Sequence, residues 1–245
     1  MPVQIIEVID RSEQGITKPF ICRGDDEKIY FVKGRGAGRR SLLCEWIAGN
    51  LGLSLGLPIA PFTVVNVPSA LISLRSRDDV NELGSGPAFG SRRRQVVELS
   101  FTHIDKVPIS SRRDVLAFDW WIRNGDRTLS DAGGNPNLFW DVKSDQLVVL
   151  DHNQAFDIHF SAQNFAALHV FKRECPSLFE DWVAQEHYAT RYHDAMANWD
   201  GICNTIPDEW WYLDDERTLP TDFDPNTLRQ QLLNCRGDAF WNMKS

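Results

Sequence analysis

Apolar positions in the first third of the chain fall into short runs separated by turn residues, the pattern of strands rather than helices. Residues 3–9 form the first run, and Gly15 and Pro19 mark a loop after it. Residues 19–23 and the run Ile29-Tyr30-Phe31-Val32-Lys33 are extended in character, the second rich in the β-branched and aromatic residues that strands favour. Gly24-Asp25-Asp26 lies between them, so a hairpin pairing 19–23 with 29–33 is expected. A Gly- and Arg-rich stretch, residues 34–40, follows. Ser41 is then a plausible N-cap for a helix carrying Leu42, Leu43, Trp46, Ile47 and Leu51, with an end at Gly52 to Gly56 and Pro58 beyond. Residues 62–67 read as another strand, 75–94 as an irregular excursion, and 95–101 return to strand composition.

The pattern changes after residue 110. Ser110 or Ser111 can cap a helix whose Val115, Leu116, Phe118, Trp121 and Ile122 share a face. That helix ends before Gly125, and a loop dense in Gly, Asn and Asp leads to a short strand at 137–140. Residues 146–150 form a second strand that delivers Asp151 at its end. Segments 165–171, 176–187 and 227–233 are helical in pattern. A strand-rich part followed by a helix-rich part predicts an α+β protein with two lobes, residues 1–100 and 101–245.

Composition narrows this reading. At 42% hydrophobic and 24% charged residues, the 245-residue chain is globular, not disordered. No apolar run reaches the roughly 18 residues that span a bilayer, so no membrane insertion is expected. The start lacks the basic-then-apolar order of a secretory signal, and a cytoplasmic protein is expected. Five scattered cysteines without a C-x-x-C pair argue against a disulfide framework or a zinc site. Net charge is −8 but uneven: residues 1–118 carry 16 Lys+Arg against 13 Asp+Glu, and residues 119–245 carry 10 against 21. An acidic second half disfavours direct nucleic-acid binding; it suits a region that holds divalent cations, although solvated acidic surfaces are commoner.

Four features carry chemistry. Lys33 ends an apolar strand and can meet a phosphate as a point charge, though a strand-end lysine is more often solvated. Glu45 lies on the following helix and can orient Lys33 through an ion pair; the plainer alternative is a surface glutamate. Arg123-Asn124-Gly125-Asp126-Arg127 places an aspartate where it can accept a hydroxyl proton, and an asparagine further on can give Mg²⁺ a neutral oxygen; ordinary turn chemistry explains the same residues. Asp151 ends a buried strand, where an unpaired carboxylate is costly and a cation would relieve it. Competing motifs are weaker. Gly34-x-Gly36-x-Gly38 falls one residue short of a dinucleotide fingerprint and reads better as a mobile solvated loop. The nine tryptophans read as core and lobe packing.

Taken together, Tyr30 to Gly34, Glu45 to Gly49, Leu55 to Pro58, Phe89 to Ser91, the Asp119 to Asp126 helix and loop, Gly134 to Trp140 and Leu150 to Phe156 resemble the HipA-like serine/threonine kinase family, in its compact single-domain branch. The Asn-Gly-Asp-Arg…Asn-Pro-Asn and Asp-His-Asn-Gln-Ala-Phe pieces are also similar to type II phosphatidylinositol 4-kinases. The resemblance implies a bilobal protein-kinase-like fold that uses ATP and Mg²⁺, with an ATP-binding N-lobe over 1–100 and a catalytic C-lobe over 101–245. By matching position, Lys33 would neutralise phosphates and Glu45 would orient it, with Gly15 and Thr17 in the loop that covers the phosphates. Asp126 would position or deprotonate the acceptor, Asn137 and Asp151 would hold the metal, and Arg127 would help stabilise developing charge. Asn135 rivals Asn137, which is preferred because it opens a strand. Asp126 and Asn137 lie eleven positions apart, six more than in protein kinases, so the extra residues are expected to loop out. The favoured acceptor is a serine or threonine of a protein. A lipid or small-molecule kinase is one alternative; another is a non-catalytic nucleotide-binding protein that grips a partner, such as an antitoxin-like or regulatory protein.

Overall fold

Three strands, β1 (Val3–Arg11), β2 (Phe20–Gly24) and β3 (Ile29–Lys33), open the computed structural model, which describes residues 2–13, 18–73, 78–237 and 239–243. Buried and less buried side chains alternate along β2 and β3, so Phe20, Cys22, Tyr30 and Val32 turn toward one core. The expected hairpin forms, with Phe20 opposite Val32 and Arg23 opposite Ile29. Helix α1 (Arg39–Ser54), strand β4 (Phe62–Val67), helix α2 (Ser69–Ser73) and strand β5 (Gly86–Arg92) follow. The strands close into a barrel in the order β1-β2-β3-β5-β4. All its pairings are antiparallel except the closing one, where Val3 faces Val65 and Gln4 faces Asn66 in parallel. Ile5, Val65, Val67, Val80, Leu83 and Ala88 complete the barrel core.

Two expectations fail here. Residues 75–94 are not wholly irregular: β5 pairs with both β3 and β4. Gly90 within it is a packing requirement, because a Cβ there would lie 2.6 Å from Val65 Cγ1. Nor is the Gly/Arg stretch a mobile solvated loop. Arg35–Ala37 form a 3₁₀ turn, and the Arg35 N–H donates to the Leu83 carbonyl at 2.9 Å. A Cβ on Gly34 would fall 1.9 Å from that same oxygen. Arg39 is buried, Arg35 pairs with Asp215, and the Arg40 guanidinium lies over the Phe223 ring. The helix therefore begins at Arg39, two residues before Ser41, with the Leu42 N–H donating to Gly38 O.

The barrel belongs to a compact unit made of Met1–Trp46, Ala60–Gln95 and Ile206–Phe223. A second unit comprises Ile47–Ile59, Val96–Thr205 and Asp224–Ser245, the division falling inside α1. Its long middle segment opens with β6 (Val97–Glu98), shorter than the strand expected over 95–101 because a 3₁₀ turn, Phe101–Lys106, takes over. Helix α3 (Ile109–Trp121) follows Pro108, not a serine cap. Strands β7 (Thr128–Ser130), β8 (Gly133–Asn135), β9 (Leu138–Asp141) and β10 (Gln146–Val149) come next. β10, β9 and β6 form an antiparallel sheet, and β7 pairs with β8 in a hairpin of their own, with Thr128 also bridging His169. Helices α4 (Ala162–Leu168), α5 (Cys175–Phe179), α6 (Trp182–Ala195), α7 (Trp199–Asn204) and α8 (Pro225–Leu233) follow. Ser161, Asp181 and Asp224 cap α4, α6 and α8 through their side chains. Trp121 stacks on Tyr192 at 4.3 Å and its indole N–H donates to Leu232 O, so α3 is fixed in register against α6 and α8. Among the described residues no helix is long and apolar enough to cross a membrane.

Candidate functional site

Lys33 breaks the alternation of β3. Val32 points into the barrel, and Lys33 on the other face reaches Glu45 of α1, Nζ to Oε1 at 2.5 Å. Both side chains are buried, Glu45 at 2% exposure, so the solvated readings of each do not hold. Breaking a buried ion pair by removing one partner typically costs about 3–5 kcal/mol. The result is a cation held at a fixed point rather than swept through solvent, which is what neutralising an anion requires. Gly15 and Thr17 lie outside the described residues.

In the second unit, the chain leaves α3 through Arg123, whose φ of 49° turns it sharply, and the Asn124 N–H returns to Asp119 O at 2.8 Å. Asp126 follows, half-buried. Its Oδ2 accepts two amide hydrogen bonds, from Asn135 Nδ2 at 2.8 Å and from Asn137 Nδ2 at 3.0 Å. The six extra residues explain how. They lie within the β7–β8 hairpin, Thr128 opposite Asn135, rather than in an open loop. Gly134 permits the close approach, since a Cβ there would sit 2.5 Å from Thr128 O. Both rival asparagines thus meet the same carboxylate. Asp151 stands just past β10 with a φ of 60°, and Asn137 has a φ of 48°, two left-handed residues that are not glycine. Burial, and then the charge of Asp151, push the Asp126 carboxyl above its ordinary pKa, against the pull of the Asn137 and Asn135 amides and the Arg127 charge.

Arg127 does not face an open site. Its side chain is fully buried, with Nε donating to Asp119 Oδ2 at 2.6 Å and Nη1 within reach of three backbone carbonyls. The direct role in stabilising developing charge is therefore replaced by an internal one. Asp119 also accepts from Asn124 Nδ2 at 2.9 Å and contacts His169 Nε2 at 3.1 Å. Burial pushes the Asp119 carboxyl up, but the Arg127 charge and the His169 contact outweigh it and hold the group well below the carboxylate range. Burial pushes the His169 pKa down. Asp119 and His169 are not among the residues that stand out in the sequence as carrying chemistry. A signal for Asp119 was present: it sits between Phe118 and Trp120 in an apolar helix, where a carboxylate must find a partner.

The chemistry of the donor set suits Mg²⁺. Asp126 and Asp151 offer carboxylates and Asn137 an amide Oδ1, since its Nδ2 is turned to Asp126. Among the described residues no group of three or more His, Cys, Asp and Glu side chains is placed to hold a metal by itself. A small hard cation that keeps waters and phosphate oxygens needs only one or two carboxylates from the protein.

The family model described as HipA-like kinase matches residues 5–244. A crystal structure of a Helicobacter pylori proinflammatory kinase, CtkA, superposes with a TM-score of 0.44 at 10% identity, covering 97% of this chain and 92% of that one. No sequence among curated proteins matches.

Proposed function

The chain belongs to the HipA-like kinase family, and from that premise we propose that it transfers the γ-phosphoryl group of ATP to a serine or threonine hydroxyl of a protein. In this reading the two units are the lobes of a bilobal kinase-like fold. The observation that carries it is the cluster of Asp126 with Asn135, Asn137 and the charge of Asp151. Asp126 orients the acceptor hydroxyl and takes its proton, and the two amides keep the carboxylate from rotating away. The hydroxyl oxygen bonds to the γ-phosphorus while the bond to the β–γ bridging oxygen breaks. Asn137 and Asp151 hold Mg²⁺, which when bound would neutralise charge on the phosphates. Lys33, fixed by Glu45, neutralises phosphate oxygens. Most of the acceleration comes from positioning and charge, because phosphoryl transfer asks little covalent chemistry of the protein.

Incubation with γ-labelled ATP and a cell lysate tests this, with Asp126→Ala as the comparison. Label is expected in the protein fraction and to drop by about 10²-fold or more in the variant, whose circular dichroism should match the parent. Undiminished labelling by Asp126→Ala would remove the assignment. Label partitioning into the lipid fraction would replace the acceptor class.

A further inference from the structure

Arg127 gathers backbone from three places. Its Nη1 lies 3.2 Å from Pro136 O, 2.9 Å from Asn137 O and 3.3 Å from Leu150 O. Its other edge is fixed by Asp119, through Nε at 2.6 Å and Nη2 at 3.4 Å. Asp119 is fixed in turn by Asn124 and by His169, whose Nδ1 accepts the Phe171 N–H at 3.0 Å. With Nδ1 an acceptor, the ring proton of neutral His169 lies on Nε2, facing Asp119.

The carbonyls matter because of what they precede. Asn137 and Asp151 are the two residues assigned to the metal, and both adopt left-handed backbone, a costly conformation for a side-chain-bearing residue. The Leu150 N–H donates to Asn137 O at 3.2 Å, so the entry to β9 and the exit of β10 meet at one point. Arg127 sits beneath that point and follows Asp126 directly in the chain. We infer that Arg127 is a positioning residue that sets the affinity of the cluster for its divalent cation, by holding the backbone from which Asn137 and Asp151 project. The inference rests on the reading that these two residues hold Mg²⁺. A lysine would keep the charge beside Asp119 but lacks the planar fork that serves Asp119 and the carbonyls together.

Mn²⁺ binding to the full chain in the presence of a non-hydrolysable ATP analogue, followed by electron paramagnetic resonance of the free ion, tests it. Arg127→Lys is expected to raise the Mn²⁺ midpoint about 10- to 100-fold, the usual cost of losing an outer partner of a metal ligand. Binding of the analogue without metal should stay at the parent level. The Mg²⁺ midpoint for phosphoryl transfer should rise in parallel, with kcat recovering at high Mg²⁺. Asn124→Ala, which removes another partner of Asp119 but leaves the guanidinium on its carbonyls, should lower thermal stability without moving the metal midpoint. A parent midpoint in folded Arg127→Lys, or an equal rise in Asn124→Ala, overturns the inference. Should Arg127→Lys not accumulate folded, Asp119→Asn carries the same expectation and the same failure. If the parent protein binds no Mn²⁺ with nucleotide, the metal assignment of Asn137 and Asp151 falls first and takes this inference with it.

Discussion

Asp126 holds two opposed influences at one carboxyl. Burial and Asp151 favour the protonated form, while the amides of Asn137 and Asn135 favour the ionised one that can accept a proton. The net direction is upward, so the group required in ionised form is lost at a higher pH than an ordinary carboxylate. Phosphoryl transfer, read as log kcat/KM against pH, should fall on the acid side with a midpoint above the usual aspartate value of about 4. Asn135→Ala removes a hydrogen bond that stabilises the ionised form, so the acid limb should move to higher pH. An unmoved or lowered limb would show that Asn135 does not act on this carboxyl. At this scale the candidate residues were legible: Lys33, Glu45, Asp126, Asn137 and Asp151 stand out by residue type and order, and the Lys33–Glu45 and Asp126–Asn137 contacts form. The surroundings of Arg127 were not legible, because an arginine beside a loop aspartate looks the same in sequence whether it faces solvent or a buried carboxylate.

Strand β5 shows where local pattern stops informing. Gly-Pro-Ala-Phe-Gly-Ser-Arg has little intrinsic preference for a strand, and Pro87 lacks an N–H for the ladder. It becomes a strand because β3 and β4 present paired edges on both sides, and because Gly90 lets Val65 and Tyr30 close over it. Gly90→Val should therefore destabilise the protein by about 1–3 kcal/mol, although valine is the better strand former in isolation. A urea midpoint shifted downward at constant slope is the expected outcome, and an unchanged or raised midpoint would mean the barrel wall yields there. The β7–β8 hairpin was hidden for a related reason. Ser-Asp-Ala-Gly-Gly-Asn reads as turn chemistry throughout, and only the pairing of Thr128 with Asn135 reveals that the turn carries an asparagine back to Asp126. Helices α3 and α8, by contrast, were readable because their apolar residues recur at helical spacing, whatever caps them.

Residues 206–223 rejoin the barrel unit after more than a hundred residues spent in the other, and no local pattern marks the return. The segment brings Asp208, Glu209, Asp214, Asp215, Glu216 and Asp222 to a unit that also holds Arg35, Arg39 and Arg40, so the charge asymmetry along the chain is partly mixed in space. Charge is not what holds it. Arg35 and Asp215 are both well exposed, and such pairs contribute about 0–1 kcal/mol. Trp210 is fully buried, its indole N–H donates to Pro87 O at 3.0 Å, and its ring meets Trp46 edge-on at 6.2 Å. Trp46 in turn contacts Phe62, which stacks on Phe89 of β5, so one aromatic chain runs from the returning segment into the barrel wall. Trp210→Ala should cost about 3–5 kcal/mol, the range for truncating a buried tryptophan. Asp215→Ala should cost about 1 kcal/mol or less, and added salt should leave the Trp210 effect in place. Chemical denaturation of both variants at low and high salt separates the two contributions: comparable losses, or a Trp210 effect that salt abolishes, would mean that the segment is held by its charges after all.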